Sequence, residues 1–254
     1  QPDLVITYSI KPNIYGGLAC AIAGIPYCAN VQGLGTAFQR KGLAQFVTVL
    51  YKLALGKAKT VFFENKANAE EFFRRGIISA EKATVLPGAG INLEQYPYVP
   101  YPKNETVHFL YLGRIMREKG IDELFYAAKR LHDEGADFNL DLVGFFEDAY
   151  KEQVEVLEAA GIAVFHGFQQ DPRPFYAAAD CVVMPSYHEG MSNVNLEAAA
   201  TGRPVITTDI PGCREAVEDG VTGLLCRAGS GEDLYGAMKQ FLELPPVQRT
   251  TMGQ

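Results

Sequence analysis

Residues 107–144 read VHFLYLGRIMREKGIDELFYAAKRLHDEGADFNLDLVG. The stretch opens on an apolar run that ends at Gly113 and closes on a second one, FNLDLVG, at 138–144. Between them GIDELFYAAKRLHDEG (120–135) places Ile121, Leu124, Phe125, Ala128 and Leu131 on one helical face. Strands joined by a crossover helix run parallel, and a parallel sheet needs helices on both faces. The alternation continues in both directions. Further strands are expected at 3–9, 27–32, 60–65, 83–87, 163–167, 181–186 and 204–209, with segments of helical length between most of them.

One segment breaks the rhythm. INLEQYPYVPYPKNET (91–106) carries Pro97, Pro100 and Pro102 and has no apolar period, so it reads as an interdomain linker. The expected division is a partial N-terminal Rossmann-like domain with linker at 1–102 and a Rossmann-like domain of five strand–helix units at 103–254. Only about four strands precede the linker. The first domain is therefore expected to be truncated, and the chain to be a piece of a larger protein.

Bulk properties narrow the classes. No apolar run approaches the ~20 residues that span a bilayer. The five cysteines are odd in number, widely spaced and without a C-x-x-C, which fits reduced thiols rather than a disulfide framework or a zinc site. The net charge of −7 is uneven. Six basic residues (Lys11, Arg40, Lys41, Lys52, Lys57, Lys59) against Asp3 give residues 1–63 a charge of +5, leaving −12 for 64–254. The basic part suits an anionic surface; the acidic remainder argues against general nucleic-acid binding.

Two stretches carry chemistry. In the first, a strand ends at Gly113, Arg114 follows, and Lys119 lies at the mouth of the next helix. Ligands of parallel sheets bind beyond the carboxyl ends of strands, and two cations beside a helix start make a phosphate site. The alternative is an exposed charged turn. The second is HEGMSNVNLE (188–197), where Glu189 and Glu197 flank a small polar loop. Ser192 or Asn193 can cap the helix that carries Glu197, with backbone N–H groups near Met191–Asn193 open to an anion. Carboxylates are strong acceptors for sugar hydroxyls. The loop at 209–225, with Gly212, Gly220 and Gly223, reads as turn chemistry. There is no D-x-D, no G-x-G-x-x-G after a strand, no P-loop and no G-x-S-x-G.

GRIMREKG (113–120) together with PSYHEGMSNVNLEAAATGRPVITTDIPGCREAVEDGVTGLL (185–225) resembles the retaining glycosyltransferases of family four, which have the GT-B fold. Glu189 and Glu197 meet the family's E-x7-E pattern, Arg114 and Lys119 its Arg/Lys pair. ANVQGLGTAF (29–38) and LPGAGINLEQY (86–96) look like members that extend lipid-linked sugars for capsule, exopolysaccharide or protein-glycan assembly.

The resemblance implies a nucleotide-sugar donor, expected to be UDP-linked, and a glycan or polyprenyl-diphosphate-linked acceptor, with no metal or other cofactor. It implies that Arg114 and Lys119, beside Gly113, neutralise the leaving diphosphate. Glu197 would hold the ribose hydroxyls, while Glu189, Gly190, Met191, Ser192 and Asn193 would hold the transferred sugar and distal phosphate. His166, Gly167 and Phe168 match the segment that meets the base. Arg114, Lys119 and Glu189 would be the catalytic groups. Many members carry a His where this chain has Gln32, which favours front-face attack with the donor phosphate taking the acceptor's proton. His188 is set aside as a catalytic residue. The basic segment 38–59 has Leu43, Phe46, Val47, Leu50 and Ala54 on one face, expected against the N-terminal sheet, with its lysines free to meet anionic lipid at the cytoplasmic face of a membrane. The rival readings are a glycoside hydrolase, which has no use for Arg114 and Lys119, a sugar-nucleotide epimerase, and a donor-binding fragment without turnover.

Overall fold

The computed structural model describes residues 2–35, 38 and 41–254, the side chain of Lys41 excepted. The chain forms two compact units. The first is Gln1–Ala89 with His188–Met191, and the second is Gly90–Tyr187 with Ser192–Gln254.

The first unit alternates strictly: β1 (Val5–Tyr8), α1 (Ile10–Ala23), β2 (Tyr27–Val31), α2 (Lys41–Leu55), β3 (Val61–Phe63), α3 (Lys66–Arg74) and β4 (Ala83–Val85). Its four strands pair in parallel in the order β1-β2-β3-β4. Phe72 of α3 is the centre of the core, with Phe63 at 5.0 Å and Tyr51 at 5.1 Å, both edge to face.

The buried face of α2 differs from the expected one. Ala44, Val47, Tyr51, Ala54 and Leu55 point inward, while Leu43 is exposed and Phe46 is 62% exposed. Two contacts set this rotation. Tyr51 joins the Phe72 cluster, and α1 crosses so closely at Gly17 that a Cβ there would lie 2.8 Å from the Ala54 carbonyl. The helix is apolar on both faces, so its own pattern does not choose between them. Arg40 lies outside the described residues.

The second unit comprises β5 (Val107–Leu112), α4 (Ile121–Asp133), β6 (Phe138–Val143), α5 (Lys151–Ala159), β7 (Val164–Gly167), α6 (Arg173–Ala178), β8 (Cys181–Met184), α7 (Asn193–Ala200), β9 (Val205–Thr208), β10 (Gly223–Cys226), α8 (Gly231–Glu243) and α9 (Pro246–Met252). The sheet is parallel throughout, in the order β10-β9-β8-β5-β6-β7. The opening stretch folds as its pattern predicts: Ile121, Leu124, Ala128 and Leu131 are buried, and Phe125 packs half-buried beside them. The sequence presents strand β10 as part of a turn-rich loop. Its four residues start on a glycine and follow an Asp-Gly turn, so no alternation announces them, yet they pair in full register with β9.

The proline-rich segment is not a free linker. Tyr101 donates to the Asp180 carbonyl at 2.9 Å, Val99 N–H to Thr201 O at 3.3 Å, and the Tyr96 ring meets Tyr176 edge to face. The second unit consequently begins at Gly90 rather than after Pro102. The prolines remove backbone donors and periodicity, but Tyr96 and Tyr101, both half-buried, tie the segment to α6 and to Asp180.

Candidate functional site

Strand order in the second sheet reverses between β5 and β8. The chain leaves β5 towards β6 and β7, then returns to lay β8 on the other side. Ligands of open α/β sheets bind in the crevice beyond the carboxyl ends of the strands at such a switch point. The two loops singled out in the sequence, 113–120 and 185–192, leave β5 and β8 there.

The loops are fitted to each other. Gly120 has a positive φ of 73°, and a Cβ there would collide with the Pro185 carbonyl. Tyr187 N–H donates to Glu118 O at 2.9 Å, and the Tyr187 hydroxyl donates to the Glu123 carboxylate at 2.6 Å. Lys119 closes a single 3₁₀ turn, Arg117–Lys119, that leads into α4 through Gly120. Arg114 is exposed and paired with Glu147, Nη1 to Oε2 2.7 Å. Glu147 was not anticipated: it follows β6 in an irregular loop, and only the side-by-side pairing of β5 and β6 brings it to Arg114. An exposed pair of this kind is worth about 0–1 kcal/mol, so it holds Arg114 only weakly.

Across the switch point, Ser192 caps α7 by accepting from Asn195 N–H at 3.3 Å. The expectation of three open N–H groups needs correction. Met191 N–H bonds the Glu64 carboxylate, and Ser192 N–H donates to Gly212 O at 2.7 Å. In the first turn of α7 the N–H groups of Asn193 and Val194 have no intrahelical acceptor. The loop at 209–225 is also more than turns, because its Gly212 carbonyl fixes the start of α7.

Glu197 lies one turn into α7, half-buried. Burial pushes its carboxyl above the ordinary value, and hydrogen bonds from Tyr176 and Tyr96 oppose that shift.

His166, Gly167 and Phe168 close β7 on the far side of β6. The His166 ring is hydrogen-bonded to Asp141, Nε2 to Oδ1 2.6 Å. Phe168 is 70% exposed and faces the 47% exposed Phe145 across 6.3 Å. In sequence an aromatic beside a strand, such as Phe145 just past β6, reads as core, yet here it is exposed.

Glu189, Gly190 and Met191 belong to the first unit. Gly190 rests on the end of β2 and β3. Its carbonyl accepts from Asn65 Nδ2 at 2.6 Å, and a Cβ on it would collide with the Gln32 carbonyl. Met191 packs against Gly88. Gln32 hydrogen-bonds the buried Glu64, so the residue that stands in place of a histidine has a structural task. His188 is exposed. Among the described residues no His, Cys, Asp or Glu cluster could hold a metal, and no disulfide joins the cysteines.

Residues 106–244 match the family model described as glycosyl transferases group 1. The chain belongs to this glycosyltransferase family. It is 32% identical, over 95% of its length and 68% of the relative's, to the N,N'-diacetylbacillosaminyl-diphospho-undecaprenol alpha-1,3-N-acetylgalactosaminyltransferase of Campylobacter jejuni. It is 28% identical to the capsular polysaccharide biosynthesis glycosyltransferase CapM of Staphylococcus aureus, over 98% of the chain and 70% of CapM. Among solved structures, Anabaena HepE in complex with UDP and glucose aligns over 99% of this chain and 71% of HepE, with a TM-score of 0.83 at 22% identity. The α/β architecture with two Rossmann-like sheets is that of the GT-B glycosyltransferases.

Proposed function

We propose that this group 1 glycosyltransferase moves a sugar, with retention, from a UDP-sugar to a glycan or lipid-linked sugar acceptor in cell-surface polysaccharide synthesis, and that the second unit holds the nucleotide. The observation that carries the reading is the switch point between β5 and β8, with Arg114 and Lys119 on one side and the start of α7 on the other. Arg114 and Lys119 stabilise the diphosphate as it leaves, supplying the positive charge that a divalent cation supplies elsewhere. Glu197 accepts from the ribose hydroxyls. The exposed rings of Phe145 and Phe168 offer the base an apolar stacking surface. In front-face transfer the bond from the anomeric carbon to the phosphate oxygen breaks, the acceptor oxygen bonds the same face, and its proton passes to the leaving phosphate. The names of the Campylobacter relative and the UDP-bound HepE complex support an acceptor on a polyprenyl diphosphate and a uridine donor.

A lipid-linked acceptor calls for proximity to a bilayer. The outer face of α2 offers Leu43, Phe46, Val49 and Leu53 to solvent, beside Lys52, Lys57 and Lys59. Each cation near an anionic surface contributes about 1 kcal/mol. We assign this face to peripheral contact with the inner leaflet; no helix among the described residues is long and apolar enough to cross a membrane.

The donor reading is tested by calorimetric titration of UDP, GDP and ADP into the wild type and into Glu197→Ala and Lys119→Ala. UDP should bind best, and each substitution should weaken it by roughly 10- to 100-fold, the scale of a hydrogen bond to a charged group. Unchanged titrations remove the donor site.

A further inference from the structure

Glu197 is held by side chains outside the donor loops. The Tyr176 hydroxyl donates to its Oε2 at 2.8 Å, and the Tyr96 hydroxyl donates to the same carboxylate. The two rings meet edge to face, 6.1 Å apart at 82°. Tyr176 is fully buried on α6, and Tyr96 comes from the proline-rich segment.

Arg203 connects the two. It is 1% exposed, its guanidinium donates to backbone carbonyls, and its Cζ lies 5.6 Å from the centre of the Tyr101 ring. Its Nε donates to Tyr176 O at 2.7 Å, its Nη1 to Gly202 O at 3.0 Å. Its Nη2 reaches Val99 O at 3.2 Å, Pro100 O at 3.0 Å and Ala177 O at 3.3 Å. A planar fork of donors suits this role, since it fixes the end of α6 and residues 99–100 in one geometry.

We propose that Tyr96 and Tyr176 are positioning residues for Glu197, and that Arg203 holds both tyrosines in place, so that the carboxylate meets the ribose diol in one orientation. This rests on the donor reading above. An ionised carboxylate has about four acceptor sites. Two phenol hydroxyls occupy half of them and fix the plane of the group, which leaves the rest aimed at two neighbouring hydroxyls. The same bonds favour the charged form that burial opposes.

The test compares UDP with 2′-deoxy-UDP on Tyr176→Phe, Tyr96→Phe and Glu197→Ala. Phenylalanine keeps the ring packing and removes only the donor. Each tyrosine variant should bind UDP about 5- to 10-fold more weakly, less than loss of the carboxylate itself, because the acceptor stays and only its orientation relaxes. The 2′-deoxy form should lose much less, so the preference for UDP shrinks. On acidification the tyrosine variants should also lose UDP affinity at a higher pH than wild type. Tyr96 and Tyr176 face Glu197 from the elements packed on it, and Asp171 and Arg173 act on Tyr96. Should Tyr176→Phe fail to fold, Tyr96→Phe, half-buried, carries the test alone. If Glu197→Ala weakens UDP while the tyrosine variants keep wild-type preference, the positioning role is overturned and the donor reading stands. Equal losses for both nucleotides overturn it too. If Glu197→Ala leaves UDP binding intact, the donor reading falls first.

Discussion

Replacing Arg203 with methionine sets two large terms against each other. The guanidinium makes five bonds to backbone carbonyls. Nη2 has two hydrogens shared among three of these carbonyls, so at about 1.5 kcal/mol for each of four N–H groups, the lower end for a charged donor, their loss is ~6 kcal/mol. Removing a buried charge returns part of this, several kcal/mol of desolvation, and methionine refills most of the volume. The net expectation is a loss of about 3–4 kcal/mol from the second unit. Arg203→Lys should be no better than methionine, because it keeps the buried charge and loses the fork. The chain contains no tryptophan, so urea unfolding is followed by far-UV circular dichroism, with calorimetric scans alongside. The expected order of stability is arginine, then methionine, then lysine. A methionine variant within about 1 kcal/mol of wild type refutes the reasoning, since it would mean that the five carbonyls find water as readily as they find arginine.

Two further outcomes follow from the same geometry. Glu147→Gln frees Arg114 from an exposed ion pair of about 0.2–1 kcal/mol, so UDP should bind roughly 1.5- to 5-fold more tightly at low salt, by calorimetry; weaker binding would show that Glu147 orients Arg114 rather than competes for it. Glu64 is raised above its ordinary value of 4.5, chiefly by burial. A raised carboxyl contributes stability while protonated, and that contribution is lost as pH climbs from the ordinary value through the raised one. Wild type should therefore lose ground against Glu64→Gln from about pH 4.5 upward in urea titrations, and a pH-independent difference would contradict the assignment.

Much of the second unit was legible because its signals are local. The period-2 and period-3.6 runs around Gly113 and Gly120 name their own elements, and the two donor loops follow from where strands end. The misses share a cause. Glu147, Phe145 and the partners of Arg203 are defined by which strands lie side by side, and strand order is a tertiary fact. Sequence shows that β5 precedes β6; it does not show that β8 returns to the opposite flank. The buried face of α2 was misjudged for a different reason: with leucine, phenylalanine and valine on both sides, only Phe72 and Gly17 in neighbouring elements decide which side turns inward.

The stitching of residues 96–101 onto the second unit bears on how this enzyme is taken apart. A piece cut at the last proline, starting at residue 103, would discard Tyr96, Val99, Pro100 and Tyr101 together. Arg203 would lose two of its carbonyls, and Glu197 one of its two hydroxyl donors. The excised half would fold poorly and grip nucleotide loosely, and both faults would be blamed on the missing partner half. A cut before Gly90 keeps the carboxylate, its two phenols and the arginine fork in one body.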